Sequence, residues 1–290
     1  MITDRYTEYD AWAWLYNQTM GPQYCTNQLK PLEIMLLPQL PSGAHLLDLC
    51  CGTGHLMQPL LQQGYQVTGL DGSEAMLDYA HQNAPSGKFI LGDARKFKLP
   101  SSFDAAFSTS ASLNHVLSLE ELKAVFGNVY HALKHNGLFL FDLNHAGQME
   151  KWWNGRVAEG EIDSQFAWYI TPSYDVKNRM GNFTVTLFQA PQPSLRNKYS
   201  LRRLLYKILS LRLFTRLRLK VLSKFPQWEK EWRSSDITYQ VRGYLVSEVK
   251  TALEEVGFTQ VQIRTIEGKP DLDNNHSAYF ICQKLSSSSR

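Results

Sequence analysis

Along the first 37 residues, apolar positions recur at helical spacing, with aromatics at Tyr6, Tyr9, Trp12, Trp14 and Tyr16. Pro38 and Pro41 close that region. From His45 the rhythm changes. HLLDL is a short apolar run before a turn at Gly52-Thr53-Gly54, so it predicts a strand. A helix should follow through Leu56 to Leu61 and end near Gly64, with Pro59 in its first turns. YQVTGL predicts a second strand ending at Asp71. Ser73 is placed to cap a helix that buries Met76, Leu77 and Ala80. KFILG and FDAAFS predict two more strands. Leu119–Leu133 reads as an amphipathic helix stopped near Asn136-Gly137, and GLFLFDL as a strand buried on both faces.

Strands alternating with helices predict an α/β fold: a doubly wound, mostly parallel, seven-stranded sheet. After residue 150 the pattern changes. FAWYIT, NFTVTLFQ and WEKEWRSSDITYQV read as strands of an antiparallel β insert, rich in aromatics. Ser247–Val256 is helical again, and FTQVQIR and SAYFICQK alternate as two closing strands. The division expected is 1–150 as the core, 151–240 as an insert or lid, and 241–285 as the end of the core. Residues 286–290 are expected to fray.

One stretch inside the insert stands apart. From Val176 to Trp228 there is no Asp or Glu, while Arg and Lys recur. In 195–225, Leu201, Leu204, Leu205, Ile208 and Leu211 fall at helical spacing, with Arg202, Arg203 and Lys207 off the stripe. From Arg216 to Val221 the period becomes two, through Leu217, Leu219 and Val221. This basic amphipathic segment fits a helix packed on the insert's own sheet, a peripheral membrane contact, a lid over an acidic or lipid-like acceptor, or a partner-binding arm.

Composition narrows the picture a little. With 290 residues, 43% of them hydrophobic, the chain is long enough and apolar enough for a packed core. A net charge of +3 is too mild to imply nucleic acid. The opening MITDRYTEYD is polar and unlike a secretion signal, which suggests the cytoplasm. Cys25, Cys50, Cys51 and Cys282 lack metal spacing and read as free thiols.

The candidate chemistry lies where the predicted strands end. In a doubly wound sheet ligands bind outside the carboxyl ends of the strands, and Gly52, Asp71, Asp93, the Ser108–Asn114 segment and Asp142 all fall there. A Gly-rich turn lets the backbone approach a ligand, and an acid ending strand two can accept bonds from ribose hydroxyls. These two features alone would also suit NAD. Three details oppose it. The turn Asp48-Leu49-Cys50-Cys51-Gly52-Thr53-Gly54 is not GxGxxG. Asp48 would repel a pyrophosphate but suit the ammonium group of an amino acid. Asp93 after strand three can accept a bond from an adenine amine.

LLDLCCGTGHL, VTGLDGSEAMLDYA and GDARKFKLPSSFDAAFS together resemble the motifs of the class I S-adenosylmethionine-dependent methyltransferases, over about residues 6–150. The one departure is Cys50, where a glycine is common in that family. The resemblance implies S-adenosylmethionine as donor and S-adenosylhomocysteine as product. It implies that Asp48, Cys50, Gly52 and Gly54 surround the methionine moiety. Asp71 would hold the ribose hydroxyls, Asp93 and Ala94 would flank the adenine, and Gly72 and Met76 would belong to the same cofactor-binding set. Ser110 and Asn114 would lie near the methyl donor. The segment Tyr9-Asp10-x3-Trp14-Leu15-Tyr16-Asn17 resembles one that folds over the cofactor in small-molecule members, where Tyr9 or Tyr16 would attract the sulfonium.

A base is needed only if the acceptor must lose a proton. His115 and His145, just past strand ends, are the candidates. Tyr239 and Arg242 of the insert are the candidate acceptor contacts. No Asn-Pro-Pro-Tyr or Asp-Pro-Pro-Tyr follows strand four, which favours a small-molecule acceptor over nucleic acid. The alternatives are a non-enzymatic binder of the same donor and an NAD-dependent oxidoreductase. The acceptor, the atom methylated and the oligomeric state are not legible in the sequence.

Overall fold

The computed structural model describes residues 7–191 and 201–285. Tyr6, the 195–200 part of the basic stretch and the 286–290 end lie outside the described residues. The chain forms two compact units: residues up to Gln148 together with those from Tyr244 on, and Met149–Gly243.

The first unit is built on a seven-stranded sheet of order β10-β11-β5-β4-β1-β2-β3. β1 (His45–Leu49) runs parallel to β2 (Gln66–Asp71) and β4 (Phe103–Ser108); β3 (Lys88–Leu91) follows β2, and β5 (Leu133–Leu143) follows β4. The order reverses between β1 and β4, and this is the point where an open α/β sheet offers a crevice. β11 (Ala278–Lys284) is antiparallel to both β5 and β10 (Phe258–Arg264).

β5 shows why its sequence is apolar throughout. Phe139 and Phe141 enter the core on one face of the sheet, and Leu138 and Leu140 enter the core on the other. Phe141 stacks on Phe280 of β11 with ring centroids 5.0 Å apart, a contact worth ~0.5–1.5 kcal/mol beyond its buried area. The flanking helices are α4 (Met57–Gln62), α5 (Glu74–Asn83), α6 (Leu119–Ala132) and α11 (Val246–Val256). Ser73 caps α5 by accepting the Met76 N–H at 3.2 Å, and Met76, Leu77 and Ala80 are its buried face, as expected.

The α6 helix ends earlier than the sequence suggests. Leu133 already belongs to β5, and the Asn136-Gly137 signal falls inside that strand, with Asn136 at φ +62°. Lys284 explains the early stop. Its Nζ donates at 2.7 Å to the carbonyls of Tyr130 and Leu133, and so satisfies the helix's open end from the neighbouring strand. Ahead of the sheet, α1 (Thr7–Asp10), α2 (Ala13–Gln18) and α3 (Met20–Met35) form the helical N-terminal segment.

The second unit carries an antiparallel sheet of order β6-β7-β8-β9: Glu159–Ile162, Phe166–Asp175, Met180–Gln189 and Arg233–Arg242. β6 was not visible in the sequence pattern, and the last strand begins at Arg233, after a short helix, α10 (Phe225–Trp228). α7 (Ala146–Trp152) carries the chain into this unit. α8 (Leu201–Ser210) and α9 (Thr215–Leu222) pack on the sheet through Tyr206, Leu209 and Leu222, together with Phe225 of α10. The period-two reading of 216–221 is therefore corrected: that stretch is helix. Helix lets Leu222 reach the core while Arg218 donates to the carbonyls of Leu209, Ser210 and Gly160 at 2.9–3.0 Å, satisfying the end of α8.

Candidate active site

The carboxyl ends of β1 and β2 are laced together. The N–H groups of Cys50 and Cys51 donate to the Leu70 carbonyl at 2.7 and 3.1 Å, and Gly52 N–H donates to Asp71 Oδ2 at 2.8 Å. The turn needs left-handed backbone: φ is +62° at Cys50, +53° at Gly52 and +71° at Gly54. That explains why glycine is common where Cys50 stands, since a side chain in this region costs ~1–2 kcal/mol. Gly54 has a second constraint. A Cβ there would meet the Ala80 Cβ at 2.9 Å, so only glycine lets α5 pack this close.

Asp48 is 3% exposed, and its Oδ2 has no hydrogen-bond partner among the described residues. Burial, and then the nearby Asp71 charge, push its carboxyl well above the usual carboxylate range. An unsatisfied buried carboxylate oxygen is costly unless a cation or N–H donor meets it. The α-ammonium of an amino acid is such a donor, so the residues present fit the methionine end of S-adenosylmethionine. Asp71 fits the ribose. Its Oδ1 accepts the Ser73 N–H at 2.9 Å and its Oδ2 that of Gly52, which leaves a second lone pair on each oxygen. Burial raises its pKa, against the pull of those N–H groups.

The N-terminal helices are tied to these same strand ends. Ser73 Oγ donates to Asp10, and Asn83 Nδ2 donates to Asn17 Oδ1 at 2.7 Å. The Tyr16 ring lies over Gly52, 3.7 Å from where a Cβ would stand. The Tyr9 hydroxyl is close to both His115 ring nitrogens, 2.7 Å from Nε2 and 3.0 Å from Nδ1. The structure thus brings Tyr9, Tyr16, Gly52, Asp71 and His115 to one rim of the sheet.

Other expected site residues are engaged elsewhere. Asp93 follows β3, but both its carboxylate oxygens are held by the Arg95 guanidinium at 2.8–3.2 Å, and Arg95 also meets Glu121. An adenine amine would share that carboxylate. The Ala94 carbonyl accepts from Asn128 at 3.1 Å. Asn114 is 1% exposed, and its amide clamps the backbone N–H and carbonyl of Asn144 at 2.9 Å, holding the end of β5. His145 is buried, with Nε2 3.1 Å from the Asp273 carbonyl. A carbonyl only accepts, so Nε2 carries the proton in this contact and Nδ1 is the ring's basic nitrogen. Tyr239 and Arg242 lie on β9 of the second unit, and Tyr239 is buried against Phe183 at 5.2 Å.

Asp142 carries more than its strand-end position announced. It is 2% exposed, and both its oxygens lie 3.1 Å from the Ala111 N–H. Ser110 and Ala111 hold φ of +61° and +57°, two consecutive left-handed residues after β4. Successive N–H groups in such a turn form an anion-binding concavity, and here a buried carboxylate fills it. Burial pushes the Asp142 carboxyl up to about 7, against the pull of the Ala111 and Ser110 N–H groups. Cys50 and Cys51 are not poised nucleophiles: burial and the neighbouring carboxylates push both thiols far up.

A methyltransferase-domain family matches residues 46–137, the stretch from β1 to β5 that builds this rim. Over that stretch the chain is similar to the S-adenosylmethionine-dependent methyltransferases. Among methyltransferases it is 30% identical over 165 residues to the putative methyltransferase YqeM of Bacillus subtilis, covering 55% of this chain and 65% of that one. It is 30% identical over 113 residues to dTDP-3-amino-3,4,6-trideoxy-alpha-D-glucopyranose N,N-dimethyltransferase of Streptomyces venezuelae, covering 39% and 44%. It is 28% identical over 178 residues to the 18S rRNA (guanine-N(7))-methyltransferase of Bos taurus, covering 57% and 61%. The chain thus spans less than two thirds of each of these relatives. The CcbJ methyltransferase of Streptomyces caelestis shares the fold, with a TM-score of 0.71 at 16% identity over 98% of this chain and all of that one.

Proposed function

We propose that this chain transfers a methyl group from S-adenosylmethionine to a small-molecule acceptor. The observation that carries the reading is the buried, unpartnered Asp48 Oδ2 beside a left-handed Gly-rich turn and the Asp71 carboxylate. Asp48 receives the donor's ammonium group, and Asp71 its ribose hydroxyls. Gly52, Gly54, Gly72 and Met76 shape the space between, with Asp93 and Ala94 at the adenine side. When bound, S-adenosylmethionine supplies an electrophilic methyl on a sulfonium, so the hard chemistry is the cofactor's.

The protein's own part is positioning and one proton. Tyr9 and Tyr16 present aromatic surface to a cation. Ser110, held by Asp142, fixes the loop after β4. His115, beside the Tyr9 hydroxyl, accepts a proton from the acceptor, with His145 the second candidate base. The small-molecule class rests on the amino-sugar relative and on the post-β4 sequence Ser110-Ala111-Ser112-Leu113-Asn114, which lacks the Pro-Pro turn of amino-methylating nucleic-acid enzymes. Four free thiols suit a cytoplasmic setting.

The test is a label-transfer screen. Radiolabelled donor is offered with a panel of amino sugars, carboxylic acids and phenols, and in parallel with ribosomal RNA. Label in one of the small molecules, lost in Asp48→Ala, is expected. Label only in RNA would overturn the acceptor class, and donor binding without transfer to any of them would favour a binding protein.

A further inference from the structure

We propose that the α8–α9 arm docks this protein on the surface of an anionic lipid bilayer. The arm meets its own sheet with the wrong residues for a simple packed helix. Among the described side chains of α8, Tyr206 and Leu209 are the buried ones, at 7% and 1% exposure. The apolar stripe that the sequence offers lies elsewhere on the helix and is open: Leu204 is 57% exposed, Leu205 48%, Ile208 39% and Leu211 56%. The stripe continues past the turn, with Leu213 at 87% and Leu217 at 50%. Of the thirteen large apolar residues exposed among the described residues, seven fall between Leu204 and Trp228. Apolar side chains scattered singly on a surface are ordinary; a concentration of this kind on one short arm marks an interaction site.

The charge says what kind of surface it meets. Residues 201–224 hold eight Arg and Lys and no Asp or Glu. Arg202 pairs with Glu229 at 3.1 Å, but Lys207, Arg212, Arg216 and Lys220 are exposed and meet no carboxylate among the described residues. The arm is also preformed. Arg218 ties α9 to the last carbonyls of α8 and to Gly160, and Tyr206 donates to Glu229. Leucines beside unpaired cations on a preformed helical surface match the interface of an anionic membrane, where acyl chains take the leucines and headgroups take the cations. A second copy is a poor occupant, because a two-fold contact would set the exposed Lys207, Arg212, Arg216 and Lys220 against the same four cations of the other copy. No helix among the described residues is long and apolar enough to cross a bilayer, so the arm lies on the surface.

The 290-residue chain is floated with vesicles of phosphatidylcholine alone and of phosphatidylcholine with an equal part of phosphatidylglycerol. Binding is expected only to the anionic vesicles at low ionic strength, and it should be lost in high salt. Two variants separate the contributions: Leu213→Ser/Leu217→Ser and Arg212→Glu/Arg216→Glu. Each should weaken vesicle partition by about tenfold or more. Because these side chains are exposed, circular dichroism and donor affinity should stay at the parent values. No flotation of the parent protein with anionic vesicles at low salt would overturn the proposal. So would undiminished binding by the leucine variant, or a self-associated parent that the same leucine variant turns into monomer.

Discussion

The Tyr9 hydroxyl stands 2.7 Å from His115 Nε2 across 106 residues of sequence. This contact joins the N-terminal helices to the loop after β4. If His115 takes the acceptor's proton, His115→Asn should lower turnover by about 100-fold while the donor affinity stays within a few-fold. Tyr9→Phe should cost less, since the ring remains and only its hold on the imidazole is lost. Steady-state kinetics with calorimetric donor binding separates the two terms. Unchanged turnover in His115→Asn would leave an enzyme that works by positioning alone.

Asp71 serves both ligand and loop. Asp71→Ala removes two predicted ribose bonds, each worth roughly 1.5–3 kcal/mol, so donor binding should weaken tenfold or more. It also frees the Gly52 and Ser73 N–H groups, so some thermal stability should go with it. Asp71→Asn keeps acceptor capacity on one oxygen and should fall between. Calorimetry that finds unchanged affinity for Asp71→Ala would remove Asp71 from the site.

Asp48 gives a prediction with opposite signs. Once ionised, its buried, unpartnered oxygen burdens the donor-free protein, so Asp48→Asn should raise the donor-free Tm at pH above that carboxyl's pKa, by about 2–4 °C for each kcal/mol relieved. The same change should weaken donor binding. In the parent protein the raised carboxyl must lose its proton to meet an ammonium group, so donor binding should release protons and tighten as pH rises through that carboxyl's pKa. Titration calorimetry in two buffers of different ionisation heat reads this release. Its absence would argue that Asp48 meets no cation.

Asp142 sets a stability profile. Its folded pKa of about 7 lies above the unfolded value, so from pH ~4 to ~7 the folded state holds a proton that the unfolded chain has given up. Its contribution is therefore present in full at low pH and is lost as pH rises through about 7. Asp142→Asn should flatten that part of the Tm-against-pH curve. It keeps one acceptor oxygen for the Ala111 N–H, so the fold should survive. An identical slope in the variant would show that another group sets it.

Much of the first unit was legible because the pattern there is local. Strand β1, the Gly-rich turn and the cap at Ser73 are each written within a few residues, and the structure has them where the periodicity put them. Asp48 and Asp71 were legible as strand-end acids. Asp142 was noticed only as a position, because nothing in its own segment announces the left-handed pair that wraps it.

The sequence by itself determined the alternation of strands and helices, the parallel sheet that follows from it, and the edge along which polar residues collect. Hydrophobic period and turn chemistry are properties of neighbouring residues, and they survive any tertiary detail. Only the tertiary structure decided which partner each polar group took. Arg95 captured Asp93, Asn144 took the Asn114 amide, and the Asp273 carbonyl took His145. It also decided that 215–222 is helix and that Leu204 and Ile208 face outward. Those outcomes turn on contacts made by Arg218 with Gly160 and by Leu209 with the small sheet, between residues far apart in sequence, which no local period can encode.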